Sequence, residues 1–103
     1  MKIDLKANEM VVKATDSSLL LNTAEKIAGK LIITNQRVYF KGFNGHAGIH
    51  DLEIEPKFIR DVLYFNSGIF SRNGLNLVTA EGTELKFTLK QRSQFGEMIA
   101  GMC

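Results

Sequence analysis

Cysteine is nearly missing from this chain. The one present, Cys103, stands at the end, so no internal disulfide can form and nothing points to an oxidising compartment. A reducing, cytoplasmic setting is the expectation. An excess of charge of one sign is lacking too. The 13 basic and 11 acidic side chains leave a net charge of +2, far from the concentrated cationic surface that nucleic-acid binding requires, and no nucleic-acid partner is expected. No apolar run approaches the ~20 residues needed to span a bilayer. Met1-Lys2-Ile3-Asp4-Leu5-Lys6 lacks the apolar core of a signal peptide. Any membrane contact is therefore expected to be peripheral. Internal repeats, linkers and low-complexity segments are absent as well.

Local motifs for catalysis are equally scarce. An enzyme needs a nucleophile beside a base, a metal cage or a carboxylate pair. Ser67, Ser71 and Ser93 have no G-x-S-x-G context. His46 and His50 lie four apart with Asp51 following, a spacing that serves metal binding on a helix, but they fall in a glycine-spaced loop and read as exposed loop histidines. The glycines of Gly42-Phe43-Asn44-Gly45-His46-Ala47-Gly48 are three apart and open no evident helix, unlike a nucleotide-binding G-x-G-x-x-G. Cys103 reads as an inert tail thiol. The expectation is a chain without catalytic activity, metal or cofactor.

What is present is material for one core. At 103 residues, 45% hydrophobic and 23% charged, with seven Phe and two Tyr, the chain has the composition of a single globular domain spanning 1–103. Its most informative stretch runs from Gly29 to Lys41, where two strand-like runs flank Asn35-Gln36. A two-residue turn pairs Ile33 with Val38, Ile32 with Tyr39, Leu31 with Phe40 and Lys30 with Lys41. Leu31, Ile33, Val38 and Phe40 then share one wholly apolar face, and Lys30, Ile32, Thr34, Arg37, Tyr39 and Lys41 the other. A slip of one residue would put all four apolar side chains in water, so the register is strongly specified. Asn-Gln is a poorer turn pair than Asn-Gly, because Gln36 would also need a positive φ; a four-residue type I turn stays open as the alternative.

The remaining elements follow in order. Glu9 to Ala14 reads as a first strand, Asp16-Ser17-Ser18 as a turn, and Leu19-Leu20-Leu21 as either a continuation of that strand or a lip over the core; Asn22 to Gly29 reads as a loop, with one helical turn as the alternative. Ile49 to Glu55 alternates, with Leu52 and Ile54 on one face and Glu53 and Glu55 on the other, until Pro56 ends the strand. Phe58-Ile59 and Val62 to Phe65 form the next. A three-residue loop, Ala80-Glu81-Gly82, pairs Leu77 with Leu85 and Leu75 with Phe87, makes the apolar face continuous and puts glycine where a G1 bulge needs a left-handed residue. Asn76, Val78, Glu84, Lys86 and Thr88 then face outward. From Gln91 the period changes: Phe95, Met98, Ile99 and Met102 form the stripe of an amphipathic helix, starting at Ser93 as N-cap or at Gln91. Gly96 costs that helix about 1 kcal/mol, so it must dock against the sheet.

Gly29-Lys30-Leu31, then Thr34-Asn35-Gln36-Arg37-Val38, then Phe40, resembles the G-x-L…T-N-x-R-[hydrophobic]…F signature of GRAM domains, members of the pleckstrin-homology-like superfold. Ile59 with Val62 resembles the family's I-x-x-V, and Gly82 with Leu85 and Phe87 its final hairpin. The resemblance implies a mainly β fold with one C-terminal helix, a partly open barrel of about seven antiparallel strands capped by that helix. It also implies a non-catalytic adaptor for proteins or lipid headgroups. Phosphoinositide-binding members commonly carry K-x(n)-[KR]-x-R across the first two strands. This chain has Lys26 and Lys30, then apolar Ile32 in place of the second cation, a departure that argues against specific phosphoinositide binding. The candidate anion or lipid site is therefore Lys26, Lys30 and Lys41, with Lys30 beside Lys41 so that a bound anion would relieve their repulsion; the alternative is that both side chains splay into water. Arg37, near the other end of the hairpin, is expected to bond locally across the Thr34-Asn35 turn. The candidate protein-interaction surface is Ile32, Tyr39 and Val78 on the outer face, and edge strands offer a route to a peptide strand or a second subunit.

Overall fold

The computed structural model describes residues 5–21, 25–43, 51–68 and 72–103. Strands β1 (Val11–Leu20), β2 (Lys26–Thr34), β3 (Val38–Gly42), β4 (Leu52–Ile54), β5 (Ile59–Phe65), β6 (Gly74–Thr79) and β7 (Glu84–Leu89) form one antiparallel sheet in the order β4-β3-β2-β1-β7-β6-β5, followed by helix α1 (Arg92–Met102). Both hairpins have the expected register. Ile33 opposes Val38, Leu31 opposes Phe40 and Lys30 opposes Lys41; Leu77 opposes Leu85 and Leu75 opposes Phe87. Leu31, Phe40, Leu77 and Phe87 are fully buried in one cluster. Gly82 takes the left-handed conformation that the three-residue loop demands, with φ 88°.

Curvature turns this sheet into a core. β3 and β7 are separated by two intervening strands, a span of roughly 14 Å in a flat sheet at ~4.8 Å per strand. Yet the rings of Phe40 and Phe87 meet with centroids 5.6 Å apart. The strand that bends to allow this is β1. It runs unbroken through Asp16-Ser17-Ser18, which the sequence suggests as a turn. Those residues pair with Lys30, Gly29 and Ala28 of β2, and from Ser17 onward β1 also pairs with β7. Two ladders fix the backbone and override the turn propensity of the serines. For the same reason Lys26 to Gly29 is strand rather than loop. β4 is shorter than Ile49 to Glu55; residues 44–50, Ile49 among them, lie outside the described residues. Pro56 opens a short 3₁₀ turn, Pro56–Phe58, so Phe58 precedes β5 instead of joining it.

The β2–β3 turn is tied to the segment before β1. The Thr34 amide donates to the Arg37 carbonyl at 2.9 Å, as a two-residue hairpin requires. Neither Asn35 nor Gln36 has a positive φ. The strain is avoided because the Thr34 hydroxyl accepts the Gln36 and Arg37 amides at 3.1 and 3.0 Å. Asn35 then acts as a strand partner: its Oδ1 accepts the Met10 amide at 2.8 Å, its amide donates to the Met10 carbonyl at 3.0 Å and its Nδ2 to the Asn8 carbonyl at 3.0 Å. Arg37 reaches further than its own turn. Its Nε and Nη2 form a two-pronged bond with the Glu9 carboxylate, each 2.7 Å, and its Nη1 reaches Glu53 Oε2 at 2.8 Å. Glu9 also accepts from the Thr34 hydroxyl at 2.6 Å and the Lys6 amide at 2.8 Å. The Arg37 bonds, aided by Thr34 and Lys6, hold the Glu9 carboxyl down at about 2 against the opposing effect of burial, and Glu9 in turn holds the Arg37 guanidinium up.

Helix α1 closes the other side as its stripe predicts. Phe95 and Ile99 are fully buried, and Met98 and Met102 pack against the cluster. It begins after Gln91, with Ser93 inside its first turn. Gly96 is required by a close approach: a Cβ there would collide with the Tyr64 ring and hydroxyl. Arg92 fastens the same junction, donating from Nη1 to the Phe65 carbonyl at 2.6 Å, with its guanidinium 5.5 Å from the Tyr64 ring centroid.

Three expected outcomes follow from these contacts. Gly96→Ala should lower stability in the native chain but raise it by about 1 kcal/mol in a Tyr64→Ala background, where only helix propensity remains; urea midpoints of the four proteins measure this, and the same sign in both backgrounds would refute the packing account. Because the Glu9 carboxyl is depressed from 4.5 to about 2, its contribution is complete above pH 4.5 and is lost as pH falls from there toward 2. Glu9→Gln should therefore be less stable at pH 7 yet fall less steeply between pH 4.5 and 2.5, and Arg37→Met should cost roughly 3–5 kcal/mol at neutral pH by stranding a buried carboxylate.

Candidate functional site

The three lysines nominated for an anion do not converge. Lys30 and Lys41 are cross-strand neighbours as expected. However, Lys41 Nζ is held 2.9 Å from Asp51 Oδ2, while Oδ1 of the same carboxylate accepts the Gly42 amide at 3.0 Å. On its other flank Lys30 faces Asp16 across the β1–β2 ladder. An acid thus stands on each outer side of the two lysines, Asp16 beside Lys30 and Asp51 beside Lys41. Lys26 stands four residues before Lys30, about 13 Å along the strand, opposite Leu20. The contact from Asp51, ten positions from Lys41, depends on how β3 is followed by β4, and no local pattern announces it.

The nominated interaction surface needs correction. Ile32, Tyr39 and Val78 lie on the outward face but are buried, at 5%, 6% and 4% exposure. Each sits on an interior strand between side chains of both neighbours: Ile32 between Ala14 and Tyr39, Tyr39 between Ile32 and Glu53, and Val78 between Asp61 and Glu84. Tyr39 is further covered by the Arg37 guanidinium, 4.3 Å from its ring centroid. Alternation gives the face of a strand residue but not how high its neighbours stand.

An accessible concavity opens elsewhere. β4 and β5 stand at the two ends of the strand order, and beside the outer edge of β4, toward the β6–β7 loop, lies a cleft of about 250 Å³. Leu52, Ile54 and Leu85 supply its apolar lining, and Phe58, 52% exposed, forms a wall. Glu53, Glu55 and Glu81 stand around it with the hydroxyls of Thr79 and Thr83. Glu53 shares its carboxylate with Arg37; Glu55 lies 3.5 Å from Lys57 Nζ and 3.8 Å from Lys6 Nζ, exposed pairs of little strength. Glu81 is exposed and has no ion-pair partner among the described residues. Carboxylates around an apolar floor attract cations and repel anions. The alternation of Leu52 and Ile54 with Glu53 and Glu55, and the break at Pro56, were visible in the sequence; the arrival of Glu81 and Leu85 at the same place was not.

His46 and His50 lie outside the described residues, and among the described residues no group of His, Cys, Asp and Glu could hold a metal ion. Cys103 donates to the Ile99 carbonyl at 3.2 Å, and burial pushes its thiol up. No helix among the described residues is long and apolar enough to cross a membrane.

No family model matches the chain, and no curated protein does. Solved structures do. The C-terminal domain of an unknown protein from Leishmania infantum is similar with a TM-score of 0.78 at 20% identity, over 93% of this chain and 85% of that one. The Vps36 N-terminal PH domain is similar with a TM-score of 0.68 at 18% identity, over 92% of this chain and 79% of that one. At these identities the likeness is one of fold. Seven antiparallel strands rolled over one core and a C-terminal helix packed against them make this a pleckstrin-homology-like fold.

Proposed function

We propose that the chain is a non-catalytic, cytoplasmic binding module of GRAM-like type whose partner is a protein. The observation that carries this over the lipid reading is the ion pair between Lys41 and Asp51, 2.9 Å, which neutralises the cation that the phosphate site most needs. A headgroup would have to displace a carboxylate already bound to both Lys41 and the Gly42 amide. The apolar-lined opening of the sheet is bordered by three glutamates, which an anionic membrane surface repels. Lys30 and Lys41 side by side remain the one feature that favours a peripheral adaptor for anionic headgroups.

Sedimentation with vesicles of phosphatidylcholine, with and without phosphatidylserine and phosphatidylinositol phosphates, separates the two readings. The expected result is equal and low binding to both, unchanged in Lys30→Glu/Lys41→Glu, together with retention of a protein partner that the same double variant does not weaken. Salt-sensitive binding to the anionic vesicles that the double variant abolishes would replace the protein reading with the lipid one.

A further inference from the structure

Resting on the protein-binding reading, we infer that the cleft beside β4 receives a short extended segment of the partner that carries Lys or Arg on either side of an aliphatic or aromatic residue. Three independent features converge there. β4 is the end strand of the sheet, so among the described residues its outer side has no ladder partner and can take a further strand. The lining of Leu52, Ile54 and Leu85 is continuous with the core, and Phe58 stands beside it half in solvent, an apolar surface that a side chain from outside would cover. The border carries three glutamates: Glu53 is paired with Arg37, Glu55 only through weak exposed pairs with Lys57 and Lys6, and Glu81 has no ion-pair partner among the described residues.

Size narrows the occupant. About 250 Å³ is below the roughly 300–1,000 Å³ of small-molecule sites, and holds one or two side chains instead of a cofactor. Charge narrows it further, because Glu55 and Glu81 flank the lining and would meet cations on alternate positions of an added strand, whose side chains point the same way every second residue. Met10, Val11 and Val12, and Leu63 with Tyr64 on β5, are exposed apolar runs as well, but neither borders this cleft.

Random dodecapeptides displayed on phage and selected against the folded chain test this, with the winners then synthesised. Winners should be enriched in Lys and Arg flanking one large apolar residue and should bind more weakly as salt rises. Their affinity should fall about tenfold in Glu81→Arg and further in Glu55→Arg/Glu81→Arg, while thermal unfolding stays unchanged because both side chains are on the surface. Amide shifts on binding should centre on residues 52–58 and 79–85. Winners with no basic bias, winners indifferent to Glu81→Arg, shifts centred on Met10–Val12, a cleft filled by a second copy of the chain, or no winner at all would each overturn the assignment. The protein-binding reading would survive those results and fall only to the vesicle outcome described for it.

Discussion

The contact between Phe40 and Phe87 is the constraint on which the rest depends. Their rings, 5.6 Å apart and tilted by 42°, belong to strands that a flat sheet would hold far apart. Bringing them together demands that both hairpins keep register, since a slip in either would turn one ring outward. It also demands that β1 stay paired with β2 while its end joins β7. Its C-terminal half is shared by β2 and β7, whereas its N-terminal half has β2 alone. The roll leaves one side of the core to α1, where Phe95 and Ile99 exclude water, and among the described residues leaves the outer edge of β4 without a strand.

This geometry bears on what the surface can bind. With 13 cations and 11 anions the chain has little charge to spare, and two of the cations are held in close pairs with three acids. Arg37 is committed to Glu9 and Glu53, and Lys41 to Asp51. Around the apolar hollow Glu53 and Glu55 are themselves in ion pairs, and Glu81 is the carboxylate without one among the described residues. A near-neutral composition is therefore compatible with a locally acidic recognition surface, because burial and pairing remove charges unevenly.

Much of the architecture was legible because it rests on period-two alternation and on a few turn residues. The hairpin registers, the left-handed Gly82 and the stripe from Phe95 to Met102 are all local signals, and each appears in the folded chain. What failed was local propensity where tertiary pairing prevailed. Asp16-Ser17-Ser18 and Lys26 to Gly29 look like turn and loop in isolation, but lie in strands paired along their length. The site was less legible still. Ile32, Tyr39 and Val78 were placed on the correct face, but their burial depends on neighbours distant in sequence, as does the pairing of Lys41 with Asp51.

Asn35 and Gln36 make an indifferent reversal by themselves, yet between them they grip the segment ahead of β1 through Asn8, Met10 and Ala7, the last by Gln36 Nε2 at 3.0 Å. Glycine at position 36, where φ is not positive, would add chain entropy to the unfolded state and release one of those grips. Residues chosen here for mooring a neighbouring strand, at the expense of local conformational ease, make the tip of the hairpin a poor place to look for consensus-style improvement.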